Sequence, residues 1–234
     1  MGRILNGGRV NQERPCSRIP STEPAENFMS KNIAVILGAI FVLGAAIVQS
    51  AEPPEAVNKA AAKVAVELCS SCHGPAGNST SPTFPKLGGQ QQMYLAAQIR
   101  AFKAKTRSDP EAHDYMWGMV ATIDESIVDA LASYYAAQSA PQGKAGDPKL
   151  VAQGEKLFEN GDSARKITAC ASCHGVKAEG QAIFPRLAGQ HAAYIVRQLQ
   201  VIQKNLRASP VMHGLITELT LNDMKAVAEF LQSK

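Results

Sequence analysis

The feature that most constrains this chain is a unit written twice. Cys69-Ser70-Ser71-Cys72-His73-Gly74 recurs as Cys170-Ala171-Ser172-Cys173-His174-Gly175, about a hundred residues later. Phe84-Pro85-Lys86-Leu87-Gly88-Gly89-Gln90 recurs as Phe184-Pro185-Arg186-Leu187-Ala188-Gly189-Gln190, and Tyr94 and Gln98 pair with Tyr194 and Gln198. Met116-Trp117-Gly118 then pairs with Met212-His213-Gly214. A long internal repeat predicts two similar structural units. The polar, Gly- and Pro-containing stretch from Gln138 to Pro148 reads as the linker between them. The expected divisions are a leader over 1–51, a first domain over 52–141 and a second over 142–234.

Each copy reads as helical, which makes the expected fold class all-α. Ala56 to Leu68 is rich in Ala, Val, Leu and Lys with no breaker. Its counterpart begins at Asp147, an N-cap residue type, with Pro148 at the first helical position. Leu95, Ile99 and Phe102 recur at helical spacing, as do Ile195, Leu199 and Ile202. The final helix of each copy is expected to bury Ile127, Leu131 and Tyr134, or Val227, Phe230 and Leu231, behind candidate caps Asp124 and Thr220. No stretch alternates convincingly as a strand. A lobe of about 90 residues gains limited stability from apolar burial alone, so a large apolar group at its centre would have a structural role.

The C-x-x-C-H pattern supplies such a group. Two thiols three positions apart on a helical turn can reach both vinyl groups on one haem edge, and the next residue offers its imidazole to the iron; this is the attachment signature of haem c. Zinc-ribbon pairs lie ~15–20 residues apart, whereas these pairs sit in separate repeats. A dithiol oxidoreductase needs a β-α-β pattern that is absent, and simple disulfides would leave both histidines unexplained. Cys69, Cys72, Cys170 and Cys173 are therefore expected to hold two covalently bound haem c groups, with His73 and His174 on the irons.

A methionine thioether opposite histidine is an electron-transfer arrangement that raises the reduction potential. Met212 lies downstream of the second motif in a loop, while Met224 falls inside the last helix as packing. The first copy offers Met93, Met116 and Met119. In the repeat Met116 pairs with Met212, Met119 with Leu215 and Met93 with Ala193, which favours Met116 and keeps Met119 as its rival. His113, His191 and His213 are competing ligands without histidine counterparts, and read as surface residues. Pro85 and Pro185 sit where a carbonyl could accept the Nδ1 proton of the ligating histidine; an ordinary turn proline is the equal alternative. Tyr94 and Tyr194 could reach a haem propionate or serve only as packed aromatics.

The N-terminus carries an export pattern. Lys31 precedes sixteen predominantly apolar residues, 33–48, followed by Val48-Gln49-Ser50-Ala51 and then Glu52-Pro53-Pro54. Charged start, apolar middle and small-residue exit describe a secretory signal peptide; an uncleaved anchor is the alternative, since the run is slightly short of a span of ~17–25 residues. Residues 1–28 are polar and unpatterned, and Met29 would begin a compact signal by itself. Cys16, the fifth cysteine, is expected to be absent from the mature protein. A net charge of +4 is too mild to argue for nucleic-acid binding.

Together these motifs resemble the cytochrome c4 family. The resemblance covers essentially residues 56–233 and rests on both C-x-x-C-H-G motifs, both F-P-[KR]-L-[AG]-G-Q segments with the following tyrosine, and the Met-x-Gly segments at Met116 and Met212. It implies two tandem class I cytochrome c-like domains with His73/Met116 and His174/Met212 ligation. It also implies a periplasmic electron carrier, soluble or loosely membrane-associated, between a quinol-oxidising complex and a haem–copper oxidase. Two-haem electron-transfer subunits of flavoprotein dehydrogenases, such as sulfide dehydrogenase, are similar and form the second expectation. A two-haem peroxidase, the third, would need an open iron position that matched methionines disfavour. One departure is the spacing from histidine to methionine, 43 residues in the first copy and 38 in the second, with extra residues near Ser108–Asp114. The leader before Met29 is another.

Overall fold

The computed structural model describes residues 54–234. Met29, Cys16 and the apolar run of the expected signal peptide lie outside the described residues. None of the described helices is long and apolar enough to cross a membrane.

The first lobe begins with α1 (Glu55–Val64), which runs through a wide π turn, Ala65–Cys69, into α2 (Ser70–His73). It continues with α3 (Gln92–Lys103), a second π turn (Ala112–Met116) leading into α4 (Trp117–Ala121), and α5 (Val128–Ala136). The second lobe repeats the order with α6 (Pro148–Asn160), α7 (Ala171–His174), α8 (Ala192–Gln203), α9 (Pro210–Ile216) and α10 (Leu221–Ser233). Only isolated bridges occur in place of strands among the described residues.

Local chemistry explains the helix starts. The Asp147 carboxylate accepts from the Lys149 and Leu150 amides at 2.9 and 3.0 Å, with Pro148 next, where its missing N–H costs no intrahelical bond. Thr220 and Asp223 form a reciprocal capping box on α10. Asp124 caps a short 3₁₀ turn, Glu125–Ile127, rather than α5 itself. That turn shifts the helical phase: Val128, Leu131 and Tyr135 are the buried positions, while Ile127 and Tyr134 only flank the core.

Each lobe closes by crossing its first helix against its last. In the second, α6 meets α10 at Gly154, where an added Cβ would lie 2.0 Å from the Ala226 carbonyl oxygen, and Phe158 packs on Phe230 with ring centroids 5.3 Å apart. In the first, α1 lies against α5 through Ala61 and Ala65, and Tyr135 Oη donates to the Ala65 carbonyl at 3.3 Å. That hydroxyl helps satisfy the π turn which replaces the expected unbroken helix over Ala56–Leu68.

The extra residues of the first copy sit inside a helix. Helical residues begin at Pro110 and at Pro210, but Met116 comes six residues after the first proline and Met212 two after the second. The wide turn at Ala112–Met116 absorbs the insertion, a use of π geometry common near functional sites. The linker is packed rather than loose: the Lys144 amide donates to the Gln232 carbonyl at 2.9 Å, and Gly143 abuts the end of the chain.

Candidate haem sites

In each lobe the thiol pair and histidine occupy a single helical turn that glycine ends. Gly74 and Gly175 have φ of +75° and +80°, and a Cβ on Gly74 would fall 2.5 Å from the Asn78 carbonyl oxygen. The chain then returns through the Phe-Pro segment to face the histidine. His73 and His174 are buried, and their Nδ1 groups donate to the Pro85 and Pro185 carbonyls at 2.8 and 3.0 Å. Those bonds leave each Nε2 lone pair free to ligate. Burial, opposed by the carbonyl bond, holds both imidazoles below their ordinary pKa and so favours the neutral, ligating form. Phe84 and Phe184 present their rings edgewise to the two imidazoles at 6.2 and 6.4 Å.

The four cysteines form no disulfide. Burial raises the Cys69 thiol above its ordinary pKa despite a bond from Tyr135, with Cys72 adding to the rise. Burial likewise pushes Cys170 up to about 11. One continuous, mainly apolar cavity of about 540 Å³ runs through both lobes, lined by Cys69, His73 and Met116 on one side and by Cys170, His174 and Met212 on the other. Cys173 lines it too, and Cys72 opens on a small adjoining pocket beside Met119.

Of the rival ligands, Met119 alone shares a pocket lining with His73. Met93 is exposed on α3, Met224 is packed in the core of the second lobe, and Met119 is 41 % exposed at the mouth of the small pocket. His113 lies on the surface, bonded to Asp114 at 2.8 Å and stacked edgewise on Trp117. His213 Nδ1 donates to the Ile202 carbonyl at 2.9 Å. His191 departs from the surface position expected of it: its Nε2 donates across the lobes to the Ser79 carbonyl at 2.9 Å. Its counterpart Gln91 makes the matching bond to the Glu179 carbonyl at 3.0 Å. That pairing of unlike side chains through one shared function was invisible to a search for matching residue types.

Where the lobes meet, the cavity is bordered by a polar cluster that motif reading missed. Arg107 and Arg207 pair in a short antiparallel bridge, each only 8 % exposed. Arg107 donates to Asp109 at 2.8 Å and to Gln98 and Gln198 at 2.9 Å each. Arg207 donates to Gln198 at 2.6 Å, to Gln98 at 3.0 Å and to the Tyr94 hydroxyl at 2.7 Å. Burial would raise the Tyr94 phenol, but Arg207 and Arg107 outweigh it and hold its pKa below the ordinary value. The signal was present in the sequence, since Arg107 and Arg207 stand at the same offset as Phe84 and Phe184.

This donor set fits haem. Two buried guanidiniums face one carboxylate, Asp109, so the cluster carries surplus positive charge beside an apolar cavity. Arg186, whose Nε is buried and unpartnered, also lines that cavity and offers a free donor to it. An apolar macrocycle bearing carboxylates complements such walls. Cys69, Cys170 and Cys173 line the same cavity and Cys72 the small pocket adjoining it, where thioethers to the macrocycle edge would form.

Two helical lobes, each presenting a thiol pair and a buried, carbonyl-oriented histidine to a shared apolar cavity, define a two-domain c-type cytochrome. The family model described as Cytochrome c matches residues 59–137 and 151–234. Cytochrome c4 of Azotobacter vinelandii is 36% identical over 176 residues, covering 70% of this chain and 83% of the relative. The crystal structure of reduced recombinant cytochrome c4 from Pseudomonas stutzeri superposes with a TM-score of 0.68 at 35% identity, over 78% of this chain and 99% of that one. A protein of Thiomonas intermedia named thiosulfate dehydrogenase electron acceptor is 34% identical over 206 residues, 85% of this chain and 88% of the relative. The chain belongs to the cytochrome c4 family: it is a two-haem electron carrier rather than an enzyme, with two covalently bound haem c groups.

Proposed function

We propose that this protein carries single electrons in the periplasm, from a quinol-oxidising complex to a terminal haem–copper oxidase. Cys69, Cys72, Cys170 and Cys173 would hold the haems, and His73/Met116 and His174/Met212 would ligate the irons. The observation that carries the reading is that the repeat-matched methionines line the large cavity with the two histidines, whereas Met119 meets His73 only in the small adjoining pocket, which Met116 lines as well. A haem at each site supplies a one-electron iron couple. Around it the chain's own residues orient and exclude. Pro85 and Pro185 fix the imidazole tautomer, and Leu95, Phe102 and Leu131, with Ile195, Ile202 and Leu231, keep water from the cavity. With His73/Met116 and His174/Met212 holding the two haems, no ligand position would be left for a substrate, and the group would supply electron transfer without bond making.

Residues 52–141 carry seven basic and nine acidic side chains, and 142–234 carry twelve and eight, for formal charges of −2 and +4. That asymmetry supports docking of different partners at the two ends, with rates that fall as salt rises. A second reading, electron acceptor for a dehydrogenase, is favoured by the likeness to the Thiomonas acceptor. The test has two parts. Haem quantification and the ferric spectrum should give two haems per chain with the weak charge-transfer band of methionine–iron ligation; one haem or no band refutes the site assignment. Reduction is then timed with a purified quinol-oxidising complex and with a dehydrogenase. Faster reduction by the dehydrogenase selects the second reading.

A further inference from the structure

Gln90 and Gln190 are almost fully buried and have crossed over. The Gln190 carboxamide, in the second lobe, accepts from the Lys86 amide at 2.9 Å and donates to the Lys86 carbonyl at 3.0 Å. Gln90, in the first, accepts from the Arg186 amide at 2.6 Å and donates to the Arg186 carbonyl at 3.0 Å. Each side chain thus grips one residue of the other lobe as a neighbouring strand would. The gripped residue follows the proline that orients the histidine. The peptide unit joining Pro85 to Lys86 therefore offers its oxygen to His73 Nδ1 at 2.8 Å and its N–H to Gln190. The unit joining Pro185 to Arg186 does the same with His174, at 3.0 Å, and Gln90.

A peptide group bonded at both ends is polarised along the chain, so accepting its N–H makes its oxygen a stronger acceptor. A stronger acceptor at Nδ1 gives the imidazole more anionic character, and a more basic histidine stabilises the ferric iron. From this geometry we infer that Gln90 and Gln190 are crossed positioning residues, each strengthening the axial histidine bond of the opposite lobe and so lowering the potential of the opposite haem. The inference rests on His73 and His174 being the axial ligands. It deepens the carrier reading by giving the two centres a hydrogen-bonded link across the lobes.

The experiment is a redox titration of the holoprotein followed by NMR, with each haem's resonances assigned through Met116→His and Met212→His variants. Gln190→Leu should raise the potential of the first-lobe haem and leave the second at its wild-type value. The expected change is roughly two- to tenfold in the ferric–ferrous equilibrium constant, which is about 18–59 mV at about 59 mV per tenfold for one electron. Gln90→Leu should do the converse. Gln190→Met keeps the side chain's length and bulk but has no acceptor for the Lys86 N–H, so it should raise the first haem's potential as Gln190→Leu does, which separates this role from mere packing and serves if Gln190→Leu folds poorly. A shift confined to the variant's own lobe, equal shifts in both, or none would overturn the inference. Failure of histidine ligation is visible separately, because the wild-type His73 and His174 ring protons would then lack the haem ring-current shift.

Discussion

Replacing Arg107 by Met should cost this protein more than most single substitutions, for a reason the interface makes specific. The guanidinium is the ion-pair partner of Asp109 at 2.8 Å, and Asp109 has no exposed surface. Its other bonds, to Gln98 and Gln198, are duplicated by Arg207. Methionine preserves much of the side chain's bulk against Phe102, over which the guanidinium sits at 4.6 Å. What is left stranded is the Asp109 carboxylate, buried with no counter-charge bonded to it. Removing one partner of a buried pair costs about 3–5 kcal/mol, whereas removing both costs far less. At ~2–4 °C per kcal/mol for a chain of this size, the melting temperature of Arg107→Met should drop by roughly 6–20 °C. The double variant Arg107→Met, Asp109→Leu should recover most of that loss, with a coupling energy of ~2 kcal/mol or more. The assay is guanidinium denaturation of the holoprotein followed by circular dichroism and by fluorescence of Trp117, the only tryptophan. If Arg107→Met lies within ~1 kcal/mol of wild type, or the two substitutions are additive within ~0.5 kcal/mol, the stranded-carboxylate argument is wrong.

Three further outcomes are expected. Burial, with Lys86 and Lys144 nearby, outweighs the Ser79 bond and holds His191 below its ordinary pKa of 6.5, so the unfolded chain takes up the proton first; its contribution to stability is intact above ~6.5 and falls as the pH drops below that. His191→Gln, which copies Gln91, should keep the inter-lobe bond and flatten that slope between pH 7.5 and 5; equal slopes in urea denaturation would show that His191 is not the titrating group. Gly154→Ala adds a methyl where α6 touches the Ala226 carbonyl, and overpacking of ~1–3 kcal/mol should exceed the ~1 kcal/mol gained in helix propensity; an unchanged or higher melting temperature contradicts the contact. Met119→Leu should leave the methionine–iron charge-transfer band at full strength, whereas Met116→Ala should remove about half of it and Met212→Ala the other half; loss of band in Met119→Leu would move the first ligand one turn along.

The sequence alone determined the attachment chemistry, the doubling and the helical class, because each is a local property. C-x-x-C-H is one helical turn, glycine after it is a backbone requirement, and caps such as Asp147 and Thr220 act within three residues. It also selected Met116 and Met212, since aligned copies constrain one another without coordinates. Beyond reach were features that depend on which distant residues meet. The π turns at Ala65–Cys69 and Ala112–Met116 arise where inserted residues are absorbed and where Tyr135 offers its hydroxyl to a helix carbonyl. The burial of Arg107, the crossing of Gln90 and Gln190, and the service of His191 as the partner of a serine carbonyl all involve groups of the other lobe. Polar side chains of this kind are ambiguous in sequence because water satisfies them as well as protein does; only the packing of one lobe against the other removed the water and fixed their partners.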